Sequence, residues 1–493
     1  MEQPPTKPRV ILTRVGNAIS LGPGPLPVEL TSRLYEEFKY TKREYQQTRS
    51  RRPQFAYTDV YLVLKGADGT MITSYGMCPQ VRQWLRDNGY EVQCIEATPP
   101  EFNFNQLEPD WSVLDRVQLR SGQRECLEAF VEAKHGIISA PVGFGKTFLL
   151  SLLVQMYPTA KFHICTKSRD VLNEIYSRIQ LVTPEVGMYC GGRKDLDSRI
   201  TCITAASLGA LPADDVAFFI FDECHQAAAN TYSEAIIDKY RFSRNYGFSA
   251  TPKGRSDGAD GALTFLFGDV IYRMDYDEGV SNNLVVPITV DWIHSDFADS
   301  SSSSWNSTTS KFRHLIWRNR HRNNLVKQYV EDHCREDQKV LVLVASVEHA
   351  VYLHKELPDF TMVYGDMSTM DLNFYMKHGL LPTDYEPIGP KDRKRLQEEF
   401  KNGELKRVIA TDVWNTGVDF PDLDLVINAS GRASSIMTTQ GAGRGSRIFA
   451  GKTKATVVDF VDEFDGKTSS FYRGSSARRK TYLAQGWKEN GWR

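Results

Sequence analysis

The stretch Ala140-Pro-Val-Gly143-Phe-Gly145-Lys146-Thr147 packs two glycines, a lysine and a hydroxyl into eight residues. It follows the apolar run Gly136-Ile-Ile-Ser139 and precedes Phe148-Leu-Leu-Ser-Leu-Leu-Val154, so the order reads strand, glycine loop, helix. That order builds a phosphate cradle. Small residues let backbone N–H groups turn onto phosphate oxygens, and the helix N-terminus adds partial positive charge. Lys146 reaches the outer phosphates, and Thr147 offers its hydroxyl to Mg²⁺. The full P-loop pattern has glycine where this chain has Ala140, which keeps the position small. The stretch predicts nucleotide binding and leaves kinase, transporter, GTPase and motor open.

A second constellation narrows the chemistry. Asp222-Glu223-Cys-His225 follows the apolar run Val216-Ala-Phe-Phe-Ile-Phe221. Phosphoanhydride hydrolysis needs two acids: Asp222 to hold Mg²⁺ directly or through water, and Glu223 to orient and deprotonate the attacking water. Ser249-Ala-Thr251-Pro follows another apolar run, and its hydroxyls can link the metal site to a moving element, although Ser/Thr before Pro is also ordinary turn chemistry. Farther on, the segment from Ala410 to Asp419 offers Thr411 and Asp419 after a strand-like run. Gln440-Gly-Ala-Gly-Arg444-Gly-Ser-Arg447 then places three glycines where each would cost a helix about 1 kcal/mol relative to alanine. Glycines that admit close backbone approach, with two arginines three apart, suit stabilisation of phosphoryl charge.

These residues need parallel sheets to position them. From Leu119 to about Asp277, apolar runs (136–139, 161–165, 200–203, 216–221, 246–248) alternate with helical stretches, which predicts a parallel sheet covered on both faces. Ligands bind such sheets beyond the C-terminal ends of the strands, where the polar motifs fall. A second series (286–293, 339–345, 362–364, 407–410, 423–427, 455–460) predicts a second domain of the same kind. The boundaries read as 1–105, a small α+β accessory domain; 106–278, the first motor domain; 279–470, the second; and 471–493, a basic C-terminal helix. A serine-rich loop at 296–310 and an aperiodic insertion at 367–390 interrupt the second series.

In the accessory part, Asp59–Leu64 reads as a strand, as does Arg9–Thr13, and Gln80–Arg86 as a helix. Lys39–Arg52 carries six basic residues and one glutamate, a net +5 over fourteen positions. Lys42, Arg43, Arg49, Arg51 and Arg52, interleaved with tyrosines, suit phosphate contact plus base stacking. The competing reading is a solvated helix face and loop. The basic, aromatic C-terminus reads first as a docking helix and second as a nucleic-acid contact.

Composition excludes some classes. Charged residues make up 25% and hydrophobic ones 41%, ordinary for a soluble globular protein, and the formal net charge of -1 confines any polyanion-binding surface to local patches. The eight cysteines show no Cys-x-x-Cys pair or zinc spacing, and no apolar run approaches membrane-spanning length, so the expectation is a cytosolic protein without structural metal.

Taken in order, the motifs resemble those of superfamily 2 helicases and translocases. Ala140–Thr147 matches motif I, Asp222–His225 motif II in its Asp-Glu-x-His form, and Ser249–Thr251 motif III. Thr411–Asp419 matches motif V, and Gln440–Arg447 matches the Gln-x-x-Gly-Arg-x-x-Arg motif VI. Leu119-Arg120-Ser-Gly-Gln123 is similar to the adenine-reading Q-type motif, with Gly122 in place of an aromatic. Thr166-Lys167-Ser168 and Thr204–Ser207 resemble the strand-contacting motifs Ia and Ic. Thr251–Gly258 and Gly417–Pro421 look like the branch that includes XPB and the phage UvsW-like enzymes, whose small leading domain residues 66–90 also resemble.

The resemblance implies two RecA-like domains and a DNA helicase driven by ATP and Mg²⁺, with ATP between the motor domains and hydrolysis requiring closure. It assigns Arg120, Gln123, Gly143, Gly145, Lys146, Thr147, Gly417 and Asp419 to ATP. Thr147 and Asp222 go to the metal, and Lys146, Asp222, Glu223, Arg444 and Arg447 to catalysis. Lys167, Ser168, Thr204, Ser207 and Thr411 go to the strand, and Ser249, Thr251 and Gln440 to coupling. The branch implies branched DNA as substrate, through branch migration, fork regression, unwinding or annealing in phage replication, recombination or repair. An RNA helicase, a duplex translocase that separates no strands and an ATP-gated clamp without turnover remain alternatives.

Overall fold

The computed structural model describes residues 7–46, 54–66, 68–141, 143–212, 216–250, 258–296, 307–414, 420, 422–432, 452–464 and 466–492. The chain divides into two compact units, residues 1–141 with 145–274 and residues 275–493 with 142–144.

In the first unit, a five-stranded sheet takes β1 (Arg9–Val15), β2 (Ala18–Gly22), β5 (Val63–Lys65), β6 (Met71–Ser74) and β7 (Glu91–Glu96) in the order β5-β6-β2-β1-β7. Val10, Leu12, Ile19 and Leu21 alternate onto one face, where the helices Val28–Glu37 and Cys78–Asp87 bury Leu30, Leu34, Val81 and Leu85 against them. Over its described part, residues 39–46, the run Lys39–Arg52 is not a helix face. It enters β3 (Lys39–Gln46), which pairs antiparallel with β4 (Gln54–Tyr61) as a separate two-stranded hairpin. Its residues pair one to one with β4, Tyr40 opposite Val60, Thr41 opposite Asp59 and Lys42 opposite Thr58, and its tyrosine and threonine suit a strand. The expected strand Asp59–Leu64 splits between β4 and β5, because the chain leaves the hairpin at Leu62 to join the larger sheet.

An eight-stranded sheet follows in the same unit. Its strands are β8 (Gly136–Ser139), β9 (Phe162–Thr166), β10 (Val186–Cys190), β11 (Arg193–Lys194), β12 (Ile200–Thr204), β13 (Phe218–Asp222), β14 (Arg244–Ser249) and β15 (Val270–Arg273). The order is β11-β10-β12-β9-β13-β14-β8-β15, all parallel except β11. β8, β9, β10, β13 and β14 are buried along their whole length, as expected of strands covered on both faces.

The small sheet docks directly on this one. Asn17 donates from Nδ2 to the Tyr240 and Ser243 carbonyls at 2.7 and 2.9 Å. A Cβ on Gly76 would stand 2.2 Å from the Thr264 carbonyl oxygen, so only glycine permits this approach of backbone to backbone. The Arg14 guanidinium lies 3.7 Å from the Tyr75 ring centroid, and Tyr75 meets His135 edge-on at 5.3 Å. Burial pushes the His135 imidazole down to about 3, so its Nδ1 is free to accept the Asn245 N–H at 3.1 Å.

The second unit holds a seven-stranded, wholly parallel sheet. Its strands are β16 (Ile288–Ser295), β17 (Val340–Leu343), β18 (Thr361–Val363), β19 (Arg407–Ala410), β20 (Leu425–Asn428), β21 (Ala455–Asp462) and β22 (Lys488–Asn490), ordered β18-β19-β17-β20-β21-β16-β22. Alternate residues of β17 enter opposite clusters, Val340 and Val342 on one face and Leu341 and Leu343 on the other. The stretch 367–390 is folded: it contains the helix Thr369–Lys377, and Leu381 and Tyr385 pack into the core. The C-terminal segment is helical only over Ser470–Ala484 and then adds β22 to the sheet edge. Arg478, Tyr482 and Trp487 are buried, and Arg479 pairs with Glu489, so these basic and aromatic residues serve packing. Among the described residues no helix is long and apolar enough to cross a membrane.

Candidate nucleotide and nucleic-acid sites

Parallel pairing lines the chemical motifs along one sheet edge. Ser249 sits opposite Ser139, Asp222 opposite Phe248, and Thr204 opposite Thr166, so the ends of β8, β14, β13, β9 and β12 deliver their following residues to the same edge. After β8 the chain turns through Gly143 and Gly145, both with φ of +95°, a conformation glycine adopts without strain, and enters the helix Lys146–Met156. Lys146 Nζ lies 3.4 Å from the Ala140 carbonyl oxygen, folded back over the loop.

Gln123 is buried against this loop. Its Nε2 lies 2.7 Å from where a Cβ on Gly145 would stand, and its Oε1 accepts the Arg120 N–H at 2.9 Å. The structure thus brings Gln123 to the glycine loop and fixes its amide through the Arg120 backbone.

Asp222 ends β13 and is buried, with one carboxylate oxygen, Oδ1, lacking a hydrogen-bond partner among the described residues. Burial and the neighbouring Glu223 push its carboxyl up to about 7, and Lys146 pulls the other way. A buried carboxylate oxygen without a donor, at the mouth of a glycine loop that ends in Lys146-Thr147, fits a divalent cation. Magnesium takes one or two carboxylates plus phosphate oxygens and waters, so a single aspartate and a threonine hydroxyl suffice on the protein side.

Glu223 adopts φ of +56°, a left-handed conformation that costs a non-glycine residue on the order of 1 kcal/mol or more. His225 Nδ1 lies 3.4 Å from Glu223 Oε2 and 3.1 Å from Ser249 Oγ. One imidazole therefore bridges the acid pair and the next strand.

The expected strand contacts differ among themselves. Lys167 is exposed just past β9. The Ser168 hydroxyl accepts the Val171 N–H at 3.4 Å and caps the helix Arg169–Gln180, so it serves the fold. Thr204 and Ser207 share a hydrogen bond at 2.9 Å beyond β12. In the second unit, Thr411 is buried after β19 with its N–H donating to the Val363 carbonyl at 3.0 Å. On the hairpin, Arg43 is exposed and Lys42 half-buried. Thr251, Gly417, Asp419, Gln440, Arg444, Arg447, Arg49, Arg51 and Arg52 lie outside the described residues.

The sequence reading passed over one element. The turn Gly191-Gly-Arg193-Lys194 joins β10 to the antiparallel β11, beyond the same sheet edge. Arg193 and Lys194 are exposed, and Arg169 lies 3.8 Å from a Cβ position on Gly191. Together with Lys167 they form a basic rim. The signal was available as Gly-Gly-Arg-Lys directly after the short apolar run Val186–Cys190.

Residues 116–254 match the family described as type III restriction enzyme, res subunit, and residues 321–449 match the helicase conserved C-terminal domain. The chain belongs to the superfamily 2 helicases, which are nucleic-acid-dependent ATPases. It is 24% identical over 395 residues to the DNA 3'-5' translocase XPB2 of Sulfurisphaera tokodaii, covering 75% of this chain and 86% of that protein. It is 22% identical to the putative ATP-dependent helicase IRC3 of Saccharomyces cerevisiae, covering 70% of this helicase and 51% of that one. Apart from XPB2, it thus spans about half the length of the next curated relatives, 51% of IRC3 and 55% of the XPB helicase of Kineococcus radiotolerans. Among solved structures, a fragment of a putative HsdR subunit of a type I restriction enzyme from Vibrio vulnificus superposes with a TM-score of 0.55 at 15% identity, covering 93% of this chain and 95% of that one. The paired parallel sheets are thus the fold of the superfamily.

Proposed function

We propose that this helicase is a DNA motor driven by ATP and Mg²⁺, acting on branched DNA in replication, recombination or repair. Bound Mg²⁺ would neutralise charge on the outer phosphates; Thr147 and Asp222 would hold it. Lys146 and the loop N–H groups bind the phosphates, and Gln123, held against the glycine loop and accepting the Arg120 N–H, supplies the amide that reads the base. Glu223 takes a proton from the attacking water, with His225 beside its carboxylate. Arg444 and Arg447 stabilise phosphoryl charge, and Gly417 and Asp419 complete the nucleotide contacts.

The observation that carries the reading is the register of the first motor sheet, which sets the glycine loop, the acid pair and the basic rim on one edge. Lys167, Arg169, Arg193 and Lys194 supply phosphate contacts there, and the hairpin with Lys42 and Arg43 supplies a second grip. Two basic surfaces on domains that pack against each other suit DNA whose arms diverge, which favours a branch over a plain duplex. DNA rather than RNA, and 3'-5' movement, follow the relatives named as a DNA 3'-5' translocase and a DNA 3'-5' helicase.

Hydrolysis rates with single-stranded DNA, duplex, a four-way junction and RNA, measured side by side, test this. Junctions should stimulate most. Stronger stimulation by RNA than by any DNA would replace the reading with an RNA helicase. Binding without turnover on every substrate would make the chain an ATP-gated clamp.

A further inference from the structure

In the second unit, two arginines and two aspartates lie wholly inside the protein at the carboxyl edge of the sheet. Arg322, Arg478 and Asp459 are 0% exposed and Asp462 1%. Arg322 donates from Nε to Asp462 Oδ1 at 2.8 Å and from one terminal nitrogen to the Ala429 carbonyl at 2.7 Å. Arg478 donates from Nε to both Asp459 oxygens at 3.1 and 3.0 Å, and its terminal nitrogens reach the carbonyls of Gly431 at 3.2 Å and Phe460 at 2.8 Å. Asp459 also accepts the Tyr482 hydroxyl at 2.7 Å and the Asn428 amide at 2.9 Å. The two charges of each sign cancel.

Burial of such pairs is weak evidence of stabilisation, because apolar residues of similar volume commonly hold a core as well or better. What apolar residues cannot do is hold a carbonyl. Both guanidiniums spend a donor on the backbone that leaves β20, at Ala429 and Gly431. The next residue, Arg432, donates to the Ala345 carbonyl at 2.5 Å. Three arginines therefore fix the path of residues 429–432, and the chain runs on from there into the segment that contains Arg444 and Arg447.

We infer that Arg322 and Arg478 are positioning residues for hydrolysis: they set the take-off of the arginine-bearing segment and act through it. The inference rests on the proposed role of Arg444 and Arg447, and it assigns the C-terminal helix, which supplies Arg478, a part in turnover.

The test is a paired replacement, Arg322→Met with Asp462→Leu. It removes both charges together, so no buried ion is left without a partner. Methionine can lie against the Phe460 ring, whose centroid is 4.2 Å from the Arg322 guanidinium. It leaves the Ala429 carbonyl unheld. Displacement of reacting groups by about 1 Å can cost roughly 100-fold in rate, so kcat for DNA-stimulated hydrolysis should fall about 10- to 100-fold, with KM for ATP within about two-fold. Adding Arg444→Ala should then cost much less than it costs in the parent protein, because residues acting as one unit are not additive.

Unchanged kcat per folded molecule overturns the inference and leaves the network a structural one. A loss that multiplies fully with that of Arg444→Ala overturns it too, since the network would then act elsewhere. If Arg444→Ala alone is neutral, the phosphoryl reading fails and this inference fails with it. Should the paired variant not fold, Arg478→Lys is read by the same measurements: it keeps a cation near Asp459 and withdraws the donor from the Gly431 carbonyl.

Discussion

The carboxyl of Asp222 should make the nucleotide-free protein less stable as pH rises, and its removal should reveal the cost. Burial and Glu223 raise this group from 3.8, its ordinary value, to about 7. The unfolded chain therefore releases a proton near pH 4, and the folded chain holds it until about pH 7. A raised acid destabilises the fold progressively as pH climbs between those two values, and by a constant amount above the second. The shift of roughly three units corresponds to a cost on the order of 4 kcal/mol at pH 8 and about half that near pH 5.5.

Asp222→Asn removes the titration while keeping the shape. The variant should melt above the parent, by several degrees at pH 8 and less at pH 5.5, given about 2–4 °C per kcal/mol for domains of this size. Thermal unfolding of both proteins across that range is the assay. Mg²⁺ with a non-hydrolysable nucleotide should reverse the order, because only the carboxylate gains from the cation. A gap that does not grow with pH, or a variant less stable than the parent at pH 8, would refute the reasoning.

Other substitutions separate the roles. Lys146→Ala should abolish ATP turnover and leave DNA binding without nucleotide intact, as read by steady-state hydrolysis and fluorescence anisotropy; unchanged turnover in the folded variant would sink the glycine-loop assignment. Glu223→Gln should bind ATP and stall before hydrolysis, so loss of nucleotide affinity would show that Glu223 is not mainly a base. Arg444→Ala and Arg447→Ala should each bind ATP normally and hydrolyse it far more slowly, since a single arginine of this kind contributes about 10³- to 10⁵-fold and a shared task divides that. Replacing Lys42 and Arg43 together with alanine should lower the log-log salt slope of duplex binding by about 2, near 0.9 per phosphate contact. An unchanged slope would return the hairpin to a solvated surface.

The first motor domain was readable because its signals are local. A glycine loop between an apolar run and a helix, or two acids after a buried strand, needs only a dozen neighbouring residues to declare itself. β10 escaped because its run of five residues is short and interrupted by Gly187, which weakens a strand pattern. The hairpin escaped because strand and helix surface can share the composition Tyr-Thr-Lys-Arg, and the deciding information, pairing with Gln54–Tyr61, lies in a separate run of the chain. The buried arginines were least accessible. Arg322 finds its carbonyl 107 residues away and its carboxylate 140 residues away, distances over which composition carries no signal. From sequence the basic C-terminus reads first as a docking helix, without naming what Arg478 docks against; in the fold it meets two aspartates from β21.

The way the small sheet is attached decides how the hairpin can be studied. Tyr40, at the hairpin root, packs against the core of the accessory sheet and against the core of the first motor domain at once. The helix Asp260–Phe267 buries Leu263 and Phe267 in the motor core and turns Phe265 toward the accessory core. A Cβ on Gly261 would stand 2.8 Å from the Tyr40 ring. Removing residues 1–105 would therefore strip one wall from a shared core, uncover His135 beside the strand that feeds the glycine loop, and leave the Tyr240 and Ser243 carbonyls without the Asn17 amide. Lost junction preference in such a truncation could then arise from a damaged motor as readily as from a missing grip. Substitutions on β3 beyond Tyr40 leave that shared core in place. For Lys42 and Arg43, a lowered salt slope with basal hydrolysis retained reports on DNA contact with the motor intact.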